Sequence, residues 1–201
     1  MRTISQSRRF PLPKMYPVRI PDGDAGVTRT ISHMKALVHS PYGAKHWLVR
    51  QAALEAARGT ERGLDEVDAV NRWIKEHIEF RGEYGETLQD PMNTLRFGAG
   101  DCDDQSMLAA AMLESLGFQT RFKTIALQDS PEDLSHVYVE VREKRTGQWI
   151  SVDPTVERSW PGWEPEGIAR GYHYGPNSPS DAVMEGVAAV VATLGAALIL
   201  V

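Results

Sequence analysis

The chain has 201 residues and a formal net charge of -5, with 22 Lys+Arg against 27 Asp+Glu. Hydrophobic residues make up 42% and charged residues 24%, a globular balance that excludes wholesale disorder. Mild acidity argues against a general nucleic-acid binder, which needs clustered cations for phosphate. The single cysteine, Cys102, excludes an internal disulfide and any Cys-rich zinc or iron–sulfur site.

The first residues, MRTISQSRRFPLPKMYPVRIPDGD, are basic but hold no apolar run of secretory length, so a cytoplasmic setting is expected. Pro11, Pro13, Pro17 and Pro21 forbid a helix there, and residues 1–27 read as an extended Pro-rich arm. Helical periodicity begins at Thr28 and runs to His39 through Ile31, Met34, Leu37 and Val38. A second helix is expected over Ala44–Arg58 and a third over Leu64–Phe80, the latter with Val67, Val70, Trp73, Ile74 and Ile78 on one face. Arg81–Gly100 reads as loop because it is rich in glycine and contains Pro91. The sequence then turns helical, with Asp101 as N-cap, Cys102 at the first helical position, a buried face of Met107, Leu108, Ala111, Met112 and Leu116, and Gly117 as the stop. Strands follow over Phe118–Leu127, Ser135–Arg142 and Gln148–Asp153, the last ended by Pro154. The expected class is α+β, with helices packed on a small antiparallel sheet.

The domain is expected over residues 28–165, a linker over 166–180 and an apolar helix over 181–201. From Gly186 to Val201 there is no charge, and Ala188, Ala192 and Ala196 recur four apart, a spacing that lets helices approach closely. Such a helix has no face for water, so it belongs against partner subunits, at a membrane or on its own domain; contacts with like or unlike subunits through 1–27 and 181–201, and membrane contact through the latter, follow from this reading.

Cys102 stands where exposed helix amides favour a thiolate and can hold an oxyanion, but Asp101, Asp103 and Asp104 oppose that by their charge unless they cap the helix or pair with Arg96 or Arg121. A buried inert thiol is the competing reading. If 135–142 and 148–153 form a hairpin, His136 and Asp153 meet across it, and the carboxylate fixes the imidazole tautomer. His33, His39, His46, His77 and His173 have no such arrangement and read as structural or exposed.

The stretches GAGDCDDQSMLAAAMLESLGF, SHVYVEV and WISVDPT, in that order, resemble the transglutaminase-like (papain-like fold) cysteine protease superfamily. The resemblance is firm over residues 64–156 and does not reach the arm or the apolar C-terminal run. It implies Cys102 as nucleophile, His136 as general base and acid, and Asp153 as the orienting group, acting on a peptide or protein amide through a thioester. It implies an oxyanion held by the Cys102 N–H and one of Gln89, Asn93, Tyr84 or Trp149, with Trp149 read rather as core beneath the triad. No cofactor or metal is implied, since DCDD lacks the spacing and glycine of a calcium loop. Size and plainness resemble bacterial and bacteriophage-encoded members. Hydrolysis is favoured over crosslinking, and the rival reading is a bacteriophage virion protein that keeps the fold and uses its two ends for subunit contacts.

Overall fold

The computed structural model describes residues 14–82, 86–176 and 196–200. It is an α+β structure in which helices α1 (Gly23–His39), α2 (Trp47–Ala56), α3 (Leu64–His77), α4 (Pro91–Phe97) and α5 (Cys102–Ser115) pack on one face of a four-stranded sheet. The sheet holds β5 (Thr120–Leu127), β6 (His136–Arg142), β7 (Trp149–Val152) and β8 (Ile168–Tyr174) in the order β7-β6-β5-β8, every neighbour antiparallel. Two short strands, β2 (Glu79–Phe80) and β4 (Ala99–Gly100), pair in parallel beside α5.

α5 is the centre of the molecule. Every residue from Asp104 to Leu113 is buried, because α1, α2, α3 and α4 surround it and β6 lies across it. The single buried face expected for it is therefore an all-round burial, which the Ala109–Ala111 run permits by keeping the helix thin. α3 shows the opposite, amphipathic design: Val67, Val70 and Ile74 are wholly buried beneath an exposed charged face.

Three expectations are corrected. α1 starts at Gly23, not Thr28, where Gly23 accepts a φ of 65°. The stretch 81–100 is not loop throughout. Asp90 accepts a hydrogen bond from the Asn93 N–H at 2.9 Å, Pro91 occupies the first turn and Gly98 closes α4 in the left-handed region, at φ 64°. The supposed linker 166–180 supplies β8, an edge strand whose weak alternation hid it. The far face of the sheet buries Tyr138 and Glu140. Lys123 and the Tyr138 hydroxyl both donate to Glu164, and Arg121 and His173 both bond to Glu140.

The two ends meet each other. β1 (Lys14–Val18) pairs in parallel with β9 (Ala196–Leu200), which pairs antiparallel with β3 (Glu86–Leu88), giving the order β1-β9-β3. Of the arm expected over 1–27, Lys14–Val18 is a strand, residues 1–13 lie outside the described residues, and Pro17 sits on an edge strand, where its missing N–H is tolerated. Of the apolar helix expected over 181–201, the described part, Ala196–Leu200, is a strand; residues 181–195 and 201 lie outside the described residues. A central strand satisfies its main chain on both sides, so an uncharged segment is housed there without a helix. No helix among the described residues is long and apolar enough to cross a membrane.

Candidate active site

Cys102 is the first residue of α5 and is half-buried. The β2–β4 pair brings the chain to it: Glu79 N–H donates to Gly98 O at 2.8 Å and Arg81 N–H to Gly100 O at 3.0 Å. Gly100 must be glycine, since a Cβ there would stand 2.6 Å from Asp104 Cβ. The Asp101 carboxylate caps the helix, accepting from the N–H groups of Asp103 at 3.1 Å and Asp104 at 3.3 Å. Asp104, fully buried, accepts from Gln89 N–H at 2.8 Å and from Gln89 Nε2 at 2.6 Å. One turn along α5, Ser106 Oγ donates to Val137 O at 3.1 Å and fixes the helix against β6 beside His136.

The local field raises the thiol. Burial pushes Cys102 above its ordinary range, and the charges of Asp103 and Asp101 push the same way, against weaker help from the main chain at Val137 and Asp103. Arg96 donates to Asn93 Oδ1 at 3.2 Å, and Arg121 donates to Glu140 on the sheet. Both effects favour the protonated sulfur over the thiolate.

His136 opens β6 and Asp153 follows β7, and the hairpin register, Val139 opposite Val152, brings them together as the sequence suggests. His136 Nε2 lies 2.8 Å from Asp153 Oδ2. Asp153 is 1% exposed, and its other oxygen accepts from Thr155 N–H at 3.0 Å and Thr155 Oγ1 at 2.6 Å. The Asp153 carbonyl accepts from Ser159 Oγ, and Lys75 Nζ on α3 donates to Ser159 O at 2.6 Å and Glu157 O at 3.1 Å. Thr155, Ser159 and Lys75 were missed from the sequence. Only the first carried a signal: an Asp two residues before a Thr, across a proline, reads as a side-chain-closed turn.

Cys102 and His136 line one groove of about 600 Å³. One wall is the start of α5 with the start of β6. The other is Ile20–Ile31, at the beginning of α1, with Asp133–Ser135 of the β5–β6 loop. Arg170 on β8 ties that second wall together, donating to Asp24 at 2.7 and 3.0 Å, to Pro131 O at 2.8 Å and to Glu132 O at 2.6 Å.

The proposed oxyanion side chains do not gather here. Gln89 spends its amide on Asp104 and on Ala99 O. Asn93 donates to Asp90 at 2.8 Å inside the cap of α4. Trp149 sits opposite Arg142, at the far end of the hairpin from Asp153, with the Arg121 guanidinium 4.3 Å from its ring centre, and not beneath the triad. Tyr84 lies outside the described residues. The remaining histidines serve elements elsewhere. His39 faces Glu114, His46 caps α2, His77 bonds Trp73 O, His173 bonds Glu140, and His33 is buried with neither ring nitrogen partnered among the described residues. Among the described residues no cluster of His, Cys, Asp or Glu is placed to hold a metal ion.

The sequence profile of the Transglutaminase-like superfamily matches residues 50–154, more than half of the chain and a span that includes Cys102, His136 and Asp153. The chain belongs to the transglutaminase-like superfamily. No curated protein matches it. Among solved structures it is similar to a candidate cysteine protease from Cytophaga hutchinsonii, at 23% identity and a TM-score of 0.53, over 77% of this chain and 49% of that one. It is also similar to a candidate protease from Parabacteroides distasonis, at 16% identity and a TM-score of 0.48, over 63% of this chain and 26% of that one. The chain thus spans about half the length of the first and a quarter of the second. The first likeness shows the shared fold.

Proposed function

We propose that the protein hydrolyses an amide or peptide bond through Cys102, His136 and Asp153. The observation that carries this reading is the 2.8 Å His136–Asp153 bond at the edge of the groove that the only thiol of the chain also lines. With Nε2 committed to the carboxylate, Nδ1 is the ring nitrogen left to exchange protons.

Because burial and two carboxylates hold the sulfur protonated, attack and proton transfer belong to one step. The sulfur adds to the carbonyl carbon while His136 takes its proton, and the oxyanion rests on the Cys102 N–H at the start of α5. His136 then gives that proton to the leaving nitrogen, the C–N bond breaks and a thioester forms. Water attacks the thioester as His136 takes a proton from it. The C–S bond breaks and the proton returns to the sulfur, leaving a carboxylic acid. The idle-fold virion reading rested on two ends reaching for neighbours, and among the described residues those ends pair with each other.

The test incubates the full chain with a panel of peptides and proteins, in ordinary and ¹⁸O water. The expected result is a Cys102 thioester by intact mass and one heavy oxygen in the new carboxyl, both lost in Cys102→Ala. Turnover that survives Cys102→Ala, or neither adduct nor product with any member of the panel, overturns the reading. Without substrate, alkylation by iodoacetamide should keep accelerating beyond about pH 8.5, where an ordinary thiol has half ionised.

A further inference from the structure

The groove has a charge signature of its own. Its described lining includes four carboxylates, Asp22, Asp101, Asp103 and Asp133, and neither lysine nor arginine. Asp101 is engaged by the N–H groups of α5. Asp22 and Asp133 are exposed, one before α1 and one in the β5–β6 loop, and Asp22 makes no capping bond with its side chain. Exposed Phe80 and half-buried Leu134 add apolar surface to the same groove.

A second observation points to an occupant. Thr124 on β5 stands opposite Val137 in the sheet and also lines the groove. It is 2% exposed, and its hydroxyl has no hydrogen-bond partner among the described residues. Buried hydroxyls are nearly always paired, and a valine would fill this position in the sheet as well. An unpaired buried hydroxyl on a residue that lines the groove is matched by a polar group that arrives with a ligand and displaces the packing over it.

We infer that the groove takes a peptide carrying a Lys or Arg side chain beside the amide that meets Cys102, with Asp22 and Asp133 receiving the cation and Thr124 Oγ bonding the peptide main chain. This deepens the hydrolase reading and rests on it only for the cut itself.

The experiment uses the full chain carrying Cys102→Ser and measures anisotropy of labelled, capped hexapeptides that differ only in a central Lys, Arg, Ala or Glu. Lys and Arg peptides should bind about tenfold more tightly than Ala, and Glu more weakly still. That advantage should shrink as salt rises from about 0.05 M to about 0.5 M. Adding Asp22→Asn with Asp133→Asn should bring the Lys-to-Ala ratio to about twofold or less while leaving the Ala peptide unchanged. Adding Thr124→Val should weaken every peptide about fivefold and leave the ratio alone. Equal binding of the four peptides, binding of none, or a charge preference that survives the double Asn variant overturns the proposal. Cationic peptides that bind with this pattern but are never cut by the wild-type chain would sink the hydrolase reading alone. Cutting indifferent to charge would sink this proposal alone.

Discussion

The two walls of the groove are built differently. The wall of α5 and β6 is held from behind: Asp104 by Gln89, Ser106 by Val137 O, Asp153 by Thr155, and the carbonyls of Ser159 and Glu157 by Lys75. Asp104 and Asp153 are at most 1% exposed, so these bonds work away from water and hold their geometry. The wall of α1 and the β5–β6 loop is exposed along its rim, at Pro21–Gly23, Asp133 and Ser135, and the guanidinium of Arg170 joins its two parts. Proton transfer needs placement within fractions of an ångström, whereas recognition of a flexible chain tolerates movement. The buried wall is suited to chemistry and the exposed one to selection.

The sharpest way to break that division is Asp153→Asn. The amide preserves shape and keeps an oxygen for Thr155, but presents an NH₂ or a neutral oxygen to His136 Nε2 in place of a carboxylate. Turnover should fall on the order of 10³-fold with KM nearly unchanged and a melting temperature close to wild type. A KM effect as large as the kcat effect would mean that the buried wall also selects substrate.

The buried wall was also the legible one. Asp101 as cap, Cys102 at the first helical position and the His136–Asp153 pairing follow from local rules: a capping residue, a period of two and a hairpin register. The exposed wall was not legible. Arg170 contacts Asp24, 146 residues away in sequence, and no local pattern encodes that distance. β8 alternates poorly because its edge position leaves most of its side chains in partial contact with water. The C-terminal run illustrates a different failure. Its small apolar residues suit a helix by propensity, but a place between two strands overrides propensity over Ala196–Leu200.

An acid challenge probes how the exposed wall is seated. His33, in the buried half of α1, is 3% exposed, and burial, helped by Arg29, lowers its pKa from 6.5 to about 4. The folded chain keeps the ring neutral while the unfolded chain protonates below about 6.5, so this stability is complete above pH 6.5 and drains as pH falls towards 4. The loss amounts to about 3 kcal/mol. Asp90 runs the other way. Burial raises its carboxyl to about 6, so a cost present above that pH is relieved on acidification. The wild-type profile therefore blends the two, and His33→Leu separates them. Urea unfolding should show the variant gaining about 3 kcal/mol on wild type between pH 7 and pH 4. A difference that stays constant with pH would refute the assignment to His33.

The smallest expected effect decides whether the exposed wall is separable at all. Arg170→Ala removes the bonds that join Asp24 to the carbonyls of Pro131 and Glu132. The guanidinium holds the Asp24 carboxyl below its ordinary range, so the clamp itself persists well into acid. Both partners lie near the surface, where a single ion pair adds little to global stability, and the melting temperature should barely move. What should change is the gap between the start of α1 and the β5–β6 loop, seen as faster hydrogen exchange in 131–135 and a KM several-fold higher, with kcat within about twofold of wild type. Arg170→Lys keeps the charge but cannot serve a carboxylate and two carbonyls together, so it should fall between the two. If kcat drops while KM holds, the loop shapes the reacting geometry through Ser135 and His136, and selection and chemistry share one structure rather than dividing between two.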